Sequence, residues 1–132
     1  MSTPTAHSAA QITALSPQFL VDDLTIALDY YGDKLGFATD FVYDSFYASV
    51  SRDGFSIHLK CAPKTASDRV HRKENEHLDA SIAVRGIDAL YDELTSKGAR
   101  ITRQLEERPW ACKDFYVEDP DGYILCFSEA IA

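Results

Sequence analysis

One pattern occurs twice in this chain, and the repeat constrains the fold more than any other feature. Val21-Asp22-Asp23-Leu24 opens a helical stripe of Leu24, Ala27, Leu28, Tyr31 and Leu35, and Gly36 follows where a helix would stop. Val84-Arg85-Gly86-Ile87 opens the same stripe at an offset of 63 residues, with Ile87, Leu90, Tyr91 and Leu94 closed by Gly98. Asp22 or Asp23 can cap the first helix, because a carboxylate oxygen there can accept from an unpaired first-turn amide. Strand-like stretches flank both helices. Residues 15–21 and 78–84 precede them, and runs rich in β-branched and aromatic residues follow at 37–43, 46–51 and 55–61, then at 100–104, 113–118 and 123–128. Asp53-Gly54 and Asp121-Gly122 fall at matching places, each supplying the positive-φ residue of a tight hairpin.

The expected architecture is therefore α+β, with two βαβββ modules over 14–61 and 77–129. A polar, aperiodic linker over 62–76 joins them, and a loose tail covers 1–13. At 132 residues the two modules make one domain of sufficient size to bury a core. The tail has neither the basic nor the apolar region of a signal peptide, and no apolar run reaches the roughly 20 residues of a membrane span. Three cysteines without framework spacing read as reduced thiols, so a cytoplasmic protein is expected. With 13 Lys+Arg against 21 Asp+Glu and a net charge of -8, a nucleic-acid partner is not expected. A cationic small molecule is compatible with that charge.

With the modules in register, the sequence resembles the vicinal oxygen chelate superfamily, which includes glyoxalases, extradiol dioxygenases, fosfomycin-resistance enzymes and bleomycin-resistance proteins. The resemblance runs from about residue 14 to 129. It is carried by Asp119-Pro120-Asp121-Gly122-Tyr123, which looks like the family's closing hairpin. Val21-Asp22-Asp23-Leu24, with Tyr30-Tyr31 and Leu35-Gly36-Phe37, is similar to its opening helix. The fold so implied is a cupped mixed sheet, helices on one face, with a cavity expected between the two modules. A homodimer is implied as well, since relatives of this size commonly complete their cavities across a two-fold interface.

Alternation along the strands sorts the side chains. Phe55, Ile57 and Leu59 form a helix-facing set, which turns Ser56, His58 and Lys60 to the cavity. Tyr123, Leu125 and Phe127 likewise leave Ile124, Cys126 and Ser128 on the cavity side. Leu15, Phe19 and Val21 leave Ser16, Gln18 and Leu20; Leu78, Ala80, Ile82 and Val84 leave Asp79, Ser81 and Ala83. Metal-dependent relatives place four ligands on the first and last strands of the modules, and the resemblance maps these positions onto Ser16, His58, Asp79 and Cys126. Of these, His58 and Asp79 are ordinary ligands, whereas Cys126 departs from the family's His, Glu and Gln and Ser16 is a poor ligand.

Three readings of the cluster stay open. Asp79 could orient His58 while Cys126 packs as a small buried hydrophobe. His58, Asp79 and Cys126 could hold one divalent metal, with water in the fourth position. Or Cys126 could be a nucleophile activated by His58. His71, His77 and His7 fall in the linker or tail and read as solvated.

Aromatic residues add a rim. Phe41, Tyr43, Tyr47, Trp110 and Tyr116 fall near strands lining the cavity mouth, where flat rings stack planar or cationic ligands. Trp110 could instead plug a dimer or module interface. The favoured expectation is a metal-free, bleomycin-resistance-type protein that sequesters an aromatic or cationic compound, with Ser16, Gln18, Tyr47, His58, Asp79, Trp110, Tyr116 and Cys126 as ligand-binding residues. The alternative is a metal-dependent lyase, isomerase or dioxygenase.

Overall fold

The structure is a computed structural model and describes residues 10–62 and 78–131. The first module comprises β1 (Gln18–Val21), α1 (Leu24–Asp33), β2 (Ala38–Tyr43), β3 (Tyr47–Arg52) and β4 (Phe55–Cys61). The second comprises β5 (Ala80–Ala83), α2 (Ile87–Ser96), β6 (Arg100–Arg108), β7 (Cys112–Glu118) and β8 (Ile124–Ala130). Each forms a four-stranded sheet, in the orders β1-β4-β3-β2 and β5-β8-β7-β6. In each sheet the first strand pairs parallel with the last, and the helix makes the crossover that such a pair requires. The two βαβββ units expected from the repeat are both present. Most of the expected linker, with His71 and His77, lies outside the described residues, as do His7 and most of the tail.

The turns obey the local chemistry. Asp23 caps α1, its Oδ1 accepting from Ile26 N at 3.0 Å. Between β3 and β4, Asp53 (φ 56) and Gly54 (φ 85) occupy the two positive-φ positions of a two-residue hairpin turn. The matching Asp121-Gly122 does not make such a turn. There β7 and β8 close at Glu118↔Ile124, leaving a five-residue loop over 119–123. That loop is organised by Asp119, whose Oδ1 accepts from Asp121 N (2.8 Å) and Tyr123 N (2.9 Å).

Both helices and the inner faces of both sheets share one apolar core, including Val21, Tyr31, Leu35, Leu59, Leu94, Phe115 and Leu125. This core lies on the helix-covered side of the sheets and ties the two modules together. Tyr31 and Tyr30 on α1 donate from their hydroxyls to Asp119 Oδ2 (2.9 Å) and Glu118 O (2.8 Å) of the second module. Phe19 stacks on Tyr123 with ring centroids 4.2 Å apart, and the Tyr123 hydroxyl accepts from Leu20 N at 2.6 Å. Arg52 reaches Glu93 on α2 with both Nη atoms, at 2.8 and 2.9 Å. The two cupped faces are the sides that each sheet turns away from this core.

Three apolar residues expected against the helix are exposed instead. Phe55 (78%) closes the tight turn, and Leu15 and Leu78 precede the first strand of each module in open chain. Ile57, Leu59, Phe19 and Val21 are buried as alternation requires.

Candidate functional site

On the first concave face, β1, β4, β3 and β2 lie side by side and align Gln18 with His58, His58 with Ser49, and Ser49 with Phe41. Gln18 Nε2 donates to Tyr47 Oη at 3.1 Å, and Tyr47 Oη lies 2.8 Å from His58 Nδ1. The phenol oxygen accepts from Gln18 and shares a second hydrogen bond with the His58 ring nitrogen. Phe41 stacks on Tyr47 (6.3 Å, 13°) and meets the His58 ring edge-on at 6.3 Å. Phe46 and Tyr43 extend this aromatic panel toward the β2–β3 turn. Phe41, Tyr43 and Phe46 are all exposed. A break in register at Thr39/Phe41 sets Asp40 beside the panel, where the Ser51 and Ser49 hydroxyls donate to its carboxylate (2.6 and 2.8 Å). Those two bonds hold its pKa below the usual carboxylate range. Ser16 sits at the panel's edge, its Oγ 2.6 Å from Ser56 Oγ.

The second concave face has a different character. One row across it runs Ser81, Cys126, Tyr116 and Arg103. The Arg103 guanidinium lies 5.1 Å from the Tyr116 ring centroid and its Nη1 donates to the phenol oxygen at 3.1 Å. Two residues along β7, Asp114 accepts from Arg108 Nε at 2.7 Å, and Arg108 Nη1 also meets Glu106 Oε2 at 3.0 Å. Cys126 is buried, and burial first, then the nearby Asp114 charge, pushes its thiol pKa up to about 11. It is a neutral thiol at physiological pH, which argues against the activated nucleophile.

The eight expected site residues therefore divide between two faces. Gln18, Tyr47 and His58 come together, with Ser16 adjacent; Tyr116 and Cys126 come together on the other sheet. Asp79 does not orient His58. Its Oδ2 accepts from Ile124 N at 2.8 Å, so it belongs to the join of β5 and β8. Trp110 stands in the turn between β6 and β7 and is 65% exposed, so it plugs no interface between the modules. Among the described residues no group of three or more His, Cys, Asp or Glu side chains is placed to hold a metal ion. His58, Asp79 and Cys126 are thus not brought together as one ligand set among the described residues.

Asp40, Arg103, Arg108 and Asp114 were not expected. Arg108 and Asp114 alternate in step on neighbouring strands, a signal visible only once β6 is known to continue past Gln104 to Arg108.

Comparison with known proteins agrees with the architecture. A sequence model of the Glyoxalase/Bleomycin resistance protein/Dioxygenase superfamily matches residues 11–127. No curated protein matches in sequence. Among solved structures, a glyoxalase-related enzyme from Clostridium phytofermentans superposes with a TM-score of 0.74 at 20% identity, covering 95% of this chain and 100% of that one. The bleomycin-binding protein of bleomycin-producing Streptomyces verticillus, complexed with copper(II)-bleomycin, gives 0.67 at 22% identity, covering 93% and 98%. TioX from Micromonospora sp. ML1 gives 0.70 at 16%, covering 91% and 100%. At these identities the likeness is one of fold. No helix among the described residues is long and apolar enough to cross a membrane.

Proposed function

The chain belongs to the glyoxalase/bleomycin resistance protein/dioxygenase superfamily, and from that premise we propose a metal-free binding protein that sequesters a small aromatic or cationic compound. The observation that carries this reading is the panel of exposed Phe41 and half-buried Tyr47 and His58, with the Asp40 carboxylate at its side. Its rings are held in place by their own contacts, so a planar ligand stacks without ordering them first. A positive charge on that ligand meets both the ring faces and Asp40. The His58 Nε2 offers one directional hydrogen bond. A homodimer and a cytoplasmic location belong to the same reading, the latter supported by the three free cysteines.

Titration of the fluorescence of the single tryptophan, Trp110, with copper(II)-bleomycin and with the planar cation proflavine tests the proposal. Saturable binding of either is expected, weakened at least tenfold in Phe41→Ala and His58→Ala. No saturable response to either compound overturns it. Stoichiometric metal in protein purified without chelators, lost in His58→Ala, would instead favour a metal-dependent enzyme. Analytical ultracentrifugation checks the dimer.

A further inference from the structure

The second concave face holds a guanidinium that the fold does not consume. Arg52, Arg100 and Arg108 each pair with a carboxylate: Glu93 at 2.8 Å, Glu118 at 3.2 Å and Asp114 at 2.7 Å. Among the described residues Arg103 forms no ion pair. Its contacts are with the uncharged Tyr116, through the ring face and through one N–H to the phenol oxygen. That leaves most of its five donors, including a fork suited to a carboxylate.

Arg108, 9% exposed, is held by the carboxylates of Asp114 and Glu106, whereas Arg103 meets no carboxylate among the described residues. A second donor lies beside it: Arg108 Nη2 is buried with no hydrogen-bond partner, although its other nitrogens are bonded. Tyr116 and Asp114, which the two arginines contact, stand two residues apart on β7, so both guanidiniums lie on the same face of the sheet. The rest of the row, Tyr116, Cys126 and Ser81, is uncharged and spans about 10 Å at ordinary strand spacing. That is room for a two-ring molecule.

We propose that Arg103 is a ligand-binding residue that docks a carboxylate, and that this face takes aromatic carboxylic acids. The proposal rests on the small-molecule-binding reading above and adds to it a second face with its own, anionic ligand class. A carboxylate on the Arg103 fork exchanges water for charge-assisted hydrogen bonds in a partly buried site, where such bonds are at their strongest. A neutral amide of the same shape loses the charge, and an amine is repelled.

The test uses three probes of one shape: 2-naphthoate, 2-naphthamide and 2-naphthylmethylammonium, titrated calorimetrically into the full chain at low ionic strength. Naphthoate is expected to bind at least tenfold more tightly than the amide, and the amine more weakly still. Arg103→Gln removes the preference for naphthoate while leaving the amide's affinity within twofold; Arg103→Lys retains part of it. Thermal melting of each variant confirms that the fold is intact. If the probes bind alike, or naphthoate binds Arg103→Gln as it binds the native chain, the inference falls while the binding reading stands. If none of the three binds, the inference falls too, and the copper(II)-bleomycin and proflavine titrations separately decide the broader reading.

Discussion

The two modules share a topology but spend their closing hairpins differently. In the first, β3 and β4 are joined by a two-residue turn, and Phe55 points away from everything the module packs against. In the second, five residues between β7 and β8 fold around the Asp119 carboxylate and deliver Tyr123, 6% exposed, onto Phe19 of the other module. Asp121 Oδ1 accepts from Asp22 N at 2.8 Å in the same join. The three extra residues turn a local connection into the main tie between the halves. Repetition thus supplies the scaffold, and departures from it supply what one copy alone cannot do. The concave faces follow the same rule, one being an aromatic panel and the other a charged row.

Substitution breaks this comparison most sharply at the paired hairpin aromatics. Tyr123→Ala should cost roughly 3–5 kcal/mol, as a buried aromatic does, whereas Phe55→Ala should stay within about 0.5 kcal/mol. Equal urea midpoint shifts would show that the two hairpins are equivalent after all. Next in size, Asp119→Ala strands the Tyr31 hydroxyl and two loop amides and should cost about 2 kcal/mol. Gly54→Ala meets open space and bears only the strain of its positive φ, about 1 kcal/mol. Glu93→Gln should be the mildest, at or below about 1 kcal/mol, because the Arg52 pair is about a third exposed.

Acid sharpens the same contrast, because the two carboxylates at the join shift in opposite directions. Burial raises the Asp119 pKa to about 6, so between pH 6 and 4 the folded chain holds a proton that the unfolded chain has released. Stability therefore rises as pH falls through that window. The hydrogen bond from Arg52, with that from Lys97, lowers the Glu93 pKa to about 2, so stability from this group is lost as pH falls from about 4.5 to 2. Chemical denaturation across pH should show the first limb vanish in Asp119→Asn and the second weaken in Glu93→Gln.

Much of this was legible in the sequence. The offset of 63 residues aligned both helices, and alternation turned Gln18 and His58 to a common face. Alternation says which side a residue takes within its own sheet. It does not say which sides of two sheets will meet, and so Tyr31 and Tyr123 could not be read as the residues that tie the two modules together. Arg103 was hidden for a related reason. Strict alternation puts it with Ile101 and Leu105, but breaks in register on either side move it to the opposite face. Asp79 looked like a functional acid because its backbone role depends on Ile124, 45 residues away.

The helix starts carry one more consequence. Asp23 completes the first turn of α1 from three residues away. Gly86, held at φ 81, has no side chain to do the same for α2, and Glu129 reaches from β8 to accept from Gly86 N at 3.2 Å and Ile87 N at 3.0 Å. The first helix can therefore nucleate from its own segment, whereas the second is finished only after a loop of some 42 residues has closed. Assembly should accordingly be ordered in time, with amide protection at the start of α1 preceding that at the start of α2 in pulse-labelling hydrogen exchange.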